Sequence, residues 1–348
     1  MNTQENTRRF FFACSLLLFA GATVCVDAKI VFRVDSDIYV MNDDGTGRRR
    51  LTHNITTKDN YPRWSPDGTK IAFTRYMDKD KIQTSSELFL MNADGTELQR
   101  LTHNNVTDHY PSWFPDGTKI AFMSERSGRD EVHVLDLVSD AVTQLTGLAD
   151  DNRNGGSVAP DWSPDGTQLT FERFLRIRAG LSPKNIYVMS ADGQHQRPLL
   201  PNPAAGEPLT LRFFPRWSAD GQRILFAEVQ WLQDGQLEKL IVQRIGRGKQ
   251  EITDINDRLG NNWVGSGACW MEKDRAILFS LMLKDKAPPN YNLYRYTFAT
   301  RGLRRITREP SDEDWPDWVE GALSVSPQGK LPTQWGEIKH AAQMKQSR

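Results

Sequence analysis

The chain has 348 residues, enough for one large repeat array or two ordinary domains. Lys plus Arg is 44 and Asp plus Glu is 44, so the formal net charge is zero. That balance excludes the basic surplus expected of a general nucleic-acid binder and the polybasic stretch of a membrane-surface protein.

Residues 1–28 read as an export signal. Arg8 and Arg9 form a positive start, and Phe10 to Ala20 is apolar but too short to span a bilayer. A small residue at Ala28 offers a cleavage point before the strand-like Lys29-Ile30-Val31-Phe32, with Ala20-Gly21-Ala22 as a second. Thr7-Arg8-Arg9-Phe10-Phe11 has the form of a twin-arginine signal, but arginine serves any positive start, and an ordinary secretory signal is expected. A periplasmic or extracellular destination follows. Removal of Cys14 and Cys25 leaves only Cys269, so no internal disulfide is expected and Cys269 reads as a buried inert thiol.

The next 290 or so residues (about one propeller's length) repeat. Asn60-Tyr61-Pro62-Arg63-Trp64-Ser65-Pro66-Asp67-Gly68 through Ile71-Ala72-Phe73 returns from His109 to Phe122, then around Trp162 and Trp217, and in worn form from Trp270 to Phe279. The anchors Trp64, Trp113, Trp162, Trp217, Trp270 and Trp318 are spaced like four-stranded blades rather than helical repeats. Each copy reads as strand a with the Trp, a Ser-Pro-Asp-Gly turn, strand b with Ile-Ala-Phe, strand c such as Glu87 to Met91, an Asp-Gly turn, and strand d closing on Leu-Thr. The chain opens on a strand b and ends, at Asp314 to Trp318, on a strand a. Joining these halves completes one blade and pairs two otherwise open edges. The expected fold is all-β: a six-bladed β-propeller of four-stranded antiparallel blades over 29–320, closed by N- and C-terminal strands sharing one blade. Residues 321–348 form a tail with a short helix expected after Gly336.

The Tyr-Pro-x-Trp-Ser-Pro-Asp-Gly-x-x-Ile-Ala-Phe and Met-Asn-x-Asp-Gly…Leu-Thr motifs resemble the repeat of the TolB propeller family, and also that of the propeller domain of dipeptidyl-peptidase-type hydrolases. Ala219 and Met271-Glu272-Lys273-Asp274 depart from the pattern. The extra N-terminal domain of TolB and the hydrolase domain of the peptidases are not expected here. The resemblance implies a rigid ring that offers a central channel and loops to a partner.

No Gly-x-Ser-x-Gly elbow, phosphate loop or zinc pattern is present in the sequence. His53 and His103 recur after Leu-Thr and read as solvated turn residues. Asp67, Asp116, Asp165 and Asp220 each supply too few oxygens for calcium and read as turn caps. No catalytic residue, metal or cofactor is expected. Binding is placed at the channel mouth, on residues entering strand a from the preceding loop: Asp59, Tyr61, Arg63, Asp108, His109, Tyr110, Asn154, Arg212, Arg216, Asn262, Asp314 and Asp317. The aromatic members, with Phe214 and Trp315, also read as packing residues. Unequal b-to-c loops, long at 74–86, 172–184, 227–237 and 280–290, mark a second binding region. The expected function is a non-enzymatic, monomeric scaffold for a protein or peptide partner, with no nucleic acid and no membrane span. The alternative is a hydrolase or lyase acting on oligosaccharide or peptide through Asp59, Asp108 and Asp317.

Overall fold

The computed structural model describes residues 30–78, 85–147, 155–175, 183–201, 207–233 and 235–320. The expected signal segment, the tail and Asn154 lie outside these residues.

In chain order the strands are β1 (Ile30–Val34), β2 (Asp37–Met41) and β3 (Arg49–Arg50); β4 (Lys58–Trp64), β5 (Lys70–Tyr76), β6 (Ser86–Asn92) and β7 (Gln99–Arg100); β8 (Asp108–Trp113), β9 (Lys119–Ser124), β10 (Glu131–Asp136) and β11 (Val142–Gln144). There follow β12 (Gly155–Trp162), β13 (Gln168–Leu175), β14 (Lys184–Ser190) and β15 (Arg197–Pro198); β16 (Thr210–Trp217), β17 (Arg223–Leu232), β18 (Gly235–Arg244) and β19 (Lys249–Glu251). A helix α1 (Thr253–Leu259) leads to β20 (Trp263–Met271), β21 (Ala276–Leu283), β22 (Asn292–Thr297), β23 (Gly302–Arg305) and finally β24 (Glu313–Trp318).

The chain is all-β apart from α1. Strands β4 to β7, β8 to β11 and β20 to β23 form four-stranded antiparallel sheets, while β12 to β15 and β16 to β19 are joined by a single parallel bridge, Lys184 to Leu211. The remaining sheet has the order β24-β1-β2-β3, with Ile30 opposite Trp318 and Val34 opposite Glu313. The two ends of the repeat array therefore share a sheet. The inner strands touch in sequence, β4 on β8, β8 on β12, β12 on β16, β16 on β20, β20 on β24, and β24 back on β4.

The strand-b pattern explains the packing. Ile71 and Phe73 enter a cluster with Val31, Val40 and Trp64 on one side of their sheet, and Ala72 enters another with Leu88, Trp113 and Phe122 on the other. Both faces of each sheet are thus covered by neighbours, which is why the small Ala72 is as fully buried as its flanking residues. One phenylalanine per strand b (Phe32, Phe73, Phe122, Phe171, Phe226, Phe279) is fully buried.

The turns close as their composition demands. The Gly68 N–H donates to the Ser65 carbonyl at 2.8 Å, and Asp67 Oδ1 accepts the Thr69 N–H at 3.1 Å. Asp116 and Asp165 cap their own turns in the same way. Leu-Thr has a role that hydrophobic patterning does not reveal. The hydroxyls of Thr52, Thr102, Thr146 and Thr307 accept the strand-c N–H groups of Ile38, Leu88, Val132 and Leu293 at 2.9–3.0 Å. Thr102 then donates to Glu87 Oε2 at 2.6 Å.

Three expectations need correction. The segment 227–237 is mainly ladder: β17 and β18 pair from Arg223–Arg244 out to Leu232–Gly235, because apolar residues continue to alternate through Ala227, Val229 and Trp231. Similarly β5, β13 and β21 run into the segments read as loops, to Tyr76, Leu175 and Leu283. Most residues placed on loops entering strand a lie on the strands themselves, from Asp59 and Asp108 onward. Helix α1 was not expected; its Ile255 is fully buried against the β18 and β20 sheets, and Gly260 ends it. No helix among the described residues is long and apolar enough to cross a membrane.

Candidate functional site

Every inner strand breaks its ladder at the same place. The register shifts between Asn60 and Arg63, His109 and Ser112, Val158 and Asp161, Phe213 and Arg216, and Gly265 and Ala268. The residue at the break has positive φ in each case: Tyr61 (52°), Tyr110 (58°), Ala159 (49°), Phe214 (53°), Gly267 (106°) and Trp315 (52°). Proline follows at Pro62, Pro111, Pro160, Pro215 and Pro316; having no N–H, it needs no ladder partner at a bulge.

The bulge turns these side chains onto the axis. Tyr61 lies 4.3 Å from Tyr110 and 4.6 Å from Trp315 between ring centroids, and Phe214 lies 4.6 Å from Trp315. They form an aromatic layer, each contact adding about 0.5–1.5 kcal/mol beyond area burial. Gly267 makes room for it, since a Cβ there would stand 2.8 Å from Trp315 Cε3.

The layer divides the expected site residues. On its chain-N-terminal side, buried carboxylates are consumed in ion pairs. Asp59 accepts Arg75 Nε at 2.6 Å, Arg75 Nη2 at 2.8 Å and Asn54 Nδ2 at 2.8 Å. Asp108 accepts Arg126 Nη2 at 3.1 Å and Asn104 Nδ2 at 2.7 Å. Arg33 Nε donates to Asp314 at 2.6 Å, and burial pushes the Asp314 carboxyl up to about 6 against that pull. Arg212 is held by Glu228 at 2.9 Å and by Asn185 Oδ1 at 2.8 Å. His109 packs 4.9 Å from Tyr76 with Nε2 buried and unpartnered, and burial lowers its pKa to about 3. The Asn262 carbonyl accepts the Lys284 N–H at 3.0 Å. These residues do not form one mouth: Arg63, Arg216 and Asp317 are on the other side of the layer, and Tyr61 and Tyr110 are within it.

That other side is a cavity of about 460 Å³, lined by the anchor tryptophans, the a-to-b turns, and the residue before each Trp except Cys269. Arg216 Nη2 donates to Asp317 Oδ1 at 2.5 Å, and Arg216 Nε stands 3.3 Å from Asp161 Oδ1. Arg63 Nη1 approaches Asp317 at 3.5 Å. Asp317 Oδ2 accepts the Trp64 N–H at 2.9 Å, and Asp161 Oδ2 accepts the Trp217 N–H at 2.8 Å. Burial, and then the charge of Asp317, push the Asp161 carboxyl well above the usual range, while the Trp217 N–H opposes them. Burial also raises Asp317, with Arg216 opposing it. Asp161 and Ser112, whose hydroxyl accepts the Trp162 N–H at 3.2 Å, were missed as site residues. The signal was present: they occupy the position of Arg63, Arg216 and Asp317 in the repeat. Cys269, also there, is buried and its thiol pushed up by burial. Among the described residues, no three His, Cys, Asp or Glu side chains converge as a metal site.

The family model of the TolB beta propeller domain matches residues 35–157. Over those residues the repeat is of TolB type. By structure the chain is similar to TolB from Acinetobacter baumannii at 17% identity, covering 85% of this chain and 67% of that one with a TM-score of 0.64. It is similar to hydrazine synthase from Kuenenia stuttgartiensis at 15% identity, covering 83% and 46%, with a TM-score of 0.63. It is also similar to a chain of a nidogen/laminin complex at 10% identity, covering 83% and 97%, with a TM-score of 0.58. At these identities the likeness is one of fold, and the fold serves unrelated tasks. No curated protein matches the chain in sequence.

Proposed function

We propose that residues 29–320 form a six-bladed ring, exported to the periplasm or beyond by the segment 1–28, which binds a protein or peptide partner at the axial cavity. The ring is supported by the cyclic contact of the inner strands and by the β1–β24 pairing. The binding reading rests on one observation. The cavity, of about 460 Å³, is lined by the anchor tryptophans and by carboxylates whose oxygens are engaged by arginines and backbone N–H groups. Such a lining is preorganised for recognition, and it presents no nucleophile–base pair.

The test is a peptide-display screen on the purified chain, repeated with Arg63→Ala and Arg216→Ala. Loss of captured peptides in both variants supports the cavity as the site; capture unchanged in both removes it. Cell fractionation with N-terminal sequencing tests export, a mature start at Lys29 being expected.

A further inference from the structure

The cavity rim is regular except at one sector. Most a-to-b turns use Gly at the left-handed position, but the β20–β21 turn places Glu272 (φ 53°), Lys273 (φ 50°) and Asp274 (φ 66°) there in succession. Left-handed backbone is sterically costly for residues with a Cβ, so something must impose it. Asp274 accepts the Ala219 N–H at 2.8 Å, the Asp220 N–H at 3.0 Å and Arg223 Nη2 at 3.2 Å. The Lys273 N–H donates to Glu320 Oε2 at 3.1 Å, and Glu272 is held by Arg295 at 2.7 Å. Each group of the turn is thereby fixed except the Lys273 side chain, which is exposed, lines the cavity, and has no ion pair among the described residues.

The buried acids of the cavity are spoken for, and the exposed Glu320 accepts the Lys273 backbone N–H. Asp161 and Asp317 serve Arg216 and backbone N–H groups, and Asp274 serves the neighbouring turn. The aspartates of the other a-to-b turns (Asp67, Asp116, Asp165, Asp220) are folded back onto their own backbones and do not line the cavity. The cavity lining therefore carries one ammonium, that of Lys273, with no ion pair among the described residues.

We propose that Lys273 is the charge-recognition residue of this cavity, pairing with a carboxylate side chain of the bound segment and so fixing its orientation. The inference rests on the binding function proposed above.

The test titrates wild type with terminally blocked hexapeptides of glutamate, glutamine and lysine. Calorimetry and the fluorescence of the cavity tryptophans are read at low salt. Hexaglutamate is expected to bind. Lys273→Gln should weaken it at least about tenfold, and Lys273→Glu should turn the preference toward hexalysine. Lys284→Gln, an exposed lysine at the opposite end of the strands, should change nothing. Unchanged hexaglutamate binding by Lys273→Gln overturns the inference. Equal binding of hexaglutamine by wild type overturns it too, while leaving the cavity as a peptide site. No binding of any of the peptides by wild type defeats both.

Discussion

Arg216 and Asp317 meet across the axial cavity, Nη2 to Oδ1 at 2.5 Å, although the β20 sheet stands between theirs in chain order. The contact is a strut rather than a neighbour bond, and Asp161 braces its other flank. Asp317→Ala is expected to destabilise the fold by about 3–5 kcal/mol, because it leaves the buried Arg216 guanidinium with Asp161 alone and strips the Trp64 N–H of its acceptor. Replacing both residues with Met should cost less than the two single changes added together. Urea denaturation of the four species checks this; strict additivity would show the strut to be energetically idle.

Stability should fall as pH rises from about 4 to 7. Burial raises Glu172 from 4.5 to about 7, Glu238 from 4.5 to about 6 and Asp314 from 3.8 to about 6. Between the ordinary and raised values the native state binds more protons than the unfolded one, so the stabilisation is full below the ordinary values and is lost as pH passes the raised ones. The loss should be on the order of 1–3 kcal/mol. Glu172→Gln should flatten the upper part of the profile; Tm measured across this range decides, and a profile that climbs toward pH 7 contradicts the assignment.

Gly267→Ala should destabilise by about 1–3 kcal/mol, since the new methyl meets both a left-handed backbone and the Trp315 ring. Trp fluorescence should report a disturbed aromatic layer. A neutral effect would mean that the layer shifts freely.

Thr102→Val should cost about 1–2 kcal/mol by leaving the Leu88 N–H without its acceptor and removing one of the donors to Glu87 Oε2. The adjacent His103→Ala should stay within about 0.5 kcal/mol, because His103 is exposed. Thermal melts of the pair separate a structural threonine from a solvated histidine.

Local chemistry made much of the fold legible. Tyr-Pro-x-Trp, Pro-Asp-Gly and Leu-Thr recur because each sheet meets the same neighbours, and the unmatched end strands pointed to β24 beside β1. The extent of β17 and β18 was hidden by Glu228 and Gln230, which interrupt the apolar run although the ladder continues through them. The site was legible by repeat position but not by depth. Asp59 and Asp317 look equivalent as acids near a channel, yet the bulge at Tyr61 and Trp315 puts them on opposite sides of an aromatic layer. Lys273 gave only a negative sign, a missing Pro-Asp-Gly, whose meaning depends on Asp274 reaching to Ala219 across 55 residues.

The sheet that β1 begins is finished only by β24. During synthesis, β1 must wait with a bare inner edge until Glu313 to Trp318 have been delivered. Closure of that sheet consequently waits for β24, and a ribosome-stalled fragment lacking Glu313 to Trp318 would expose β1 as a sticky border for other chains.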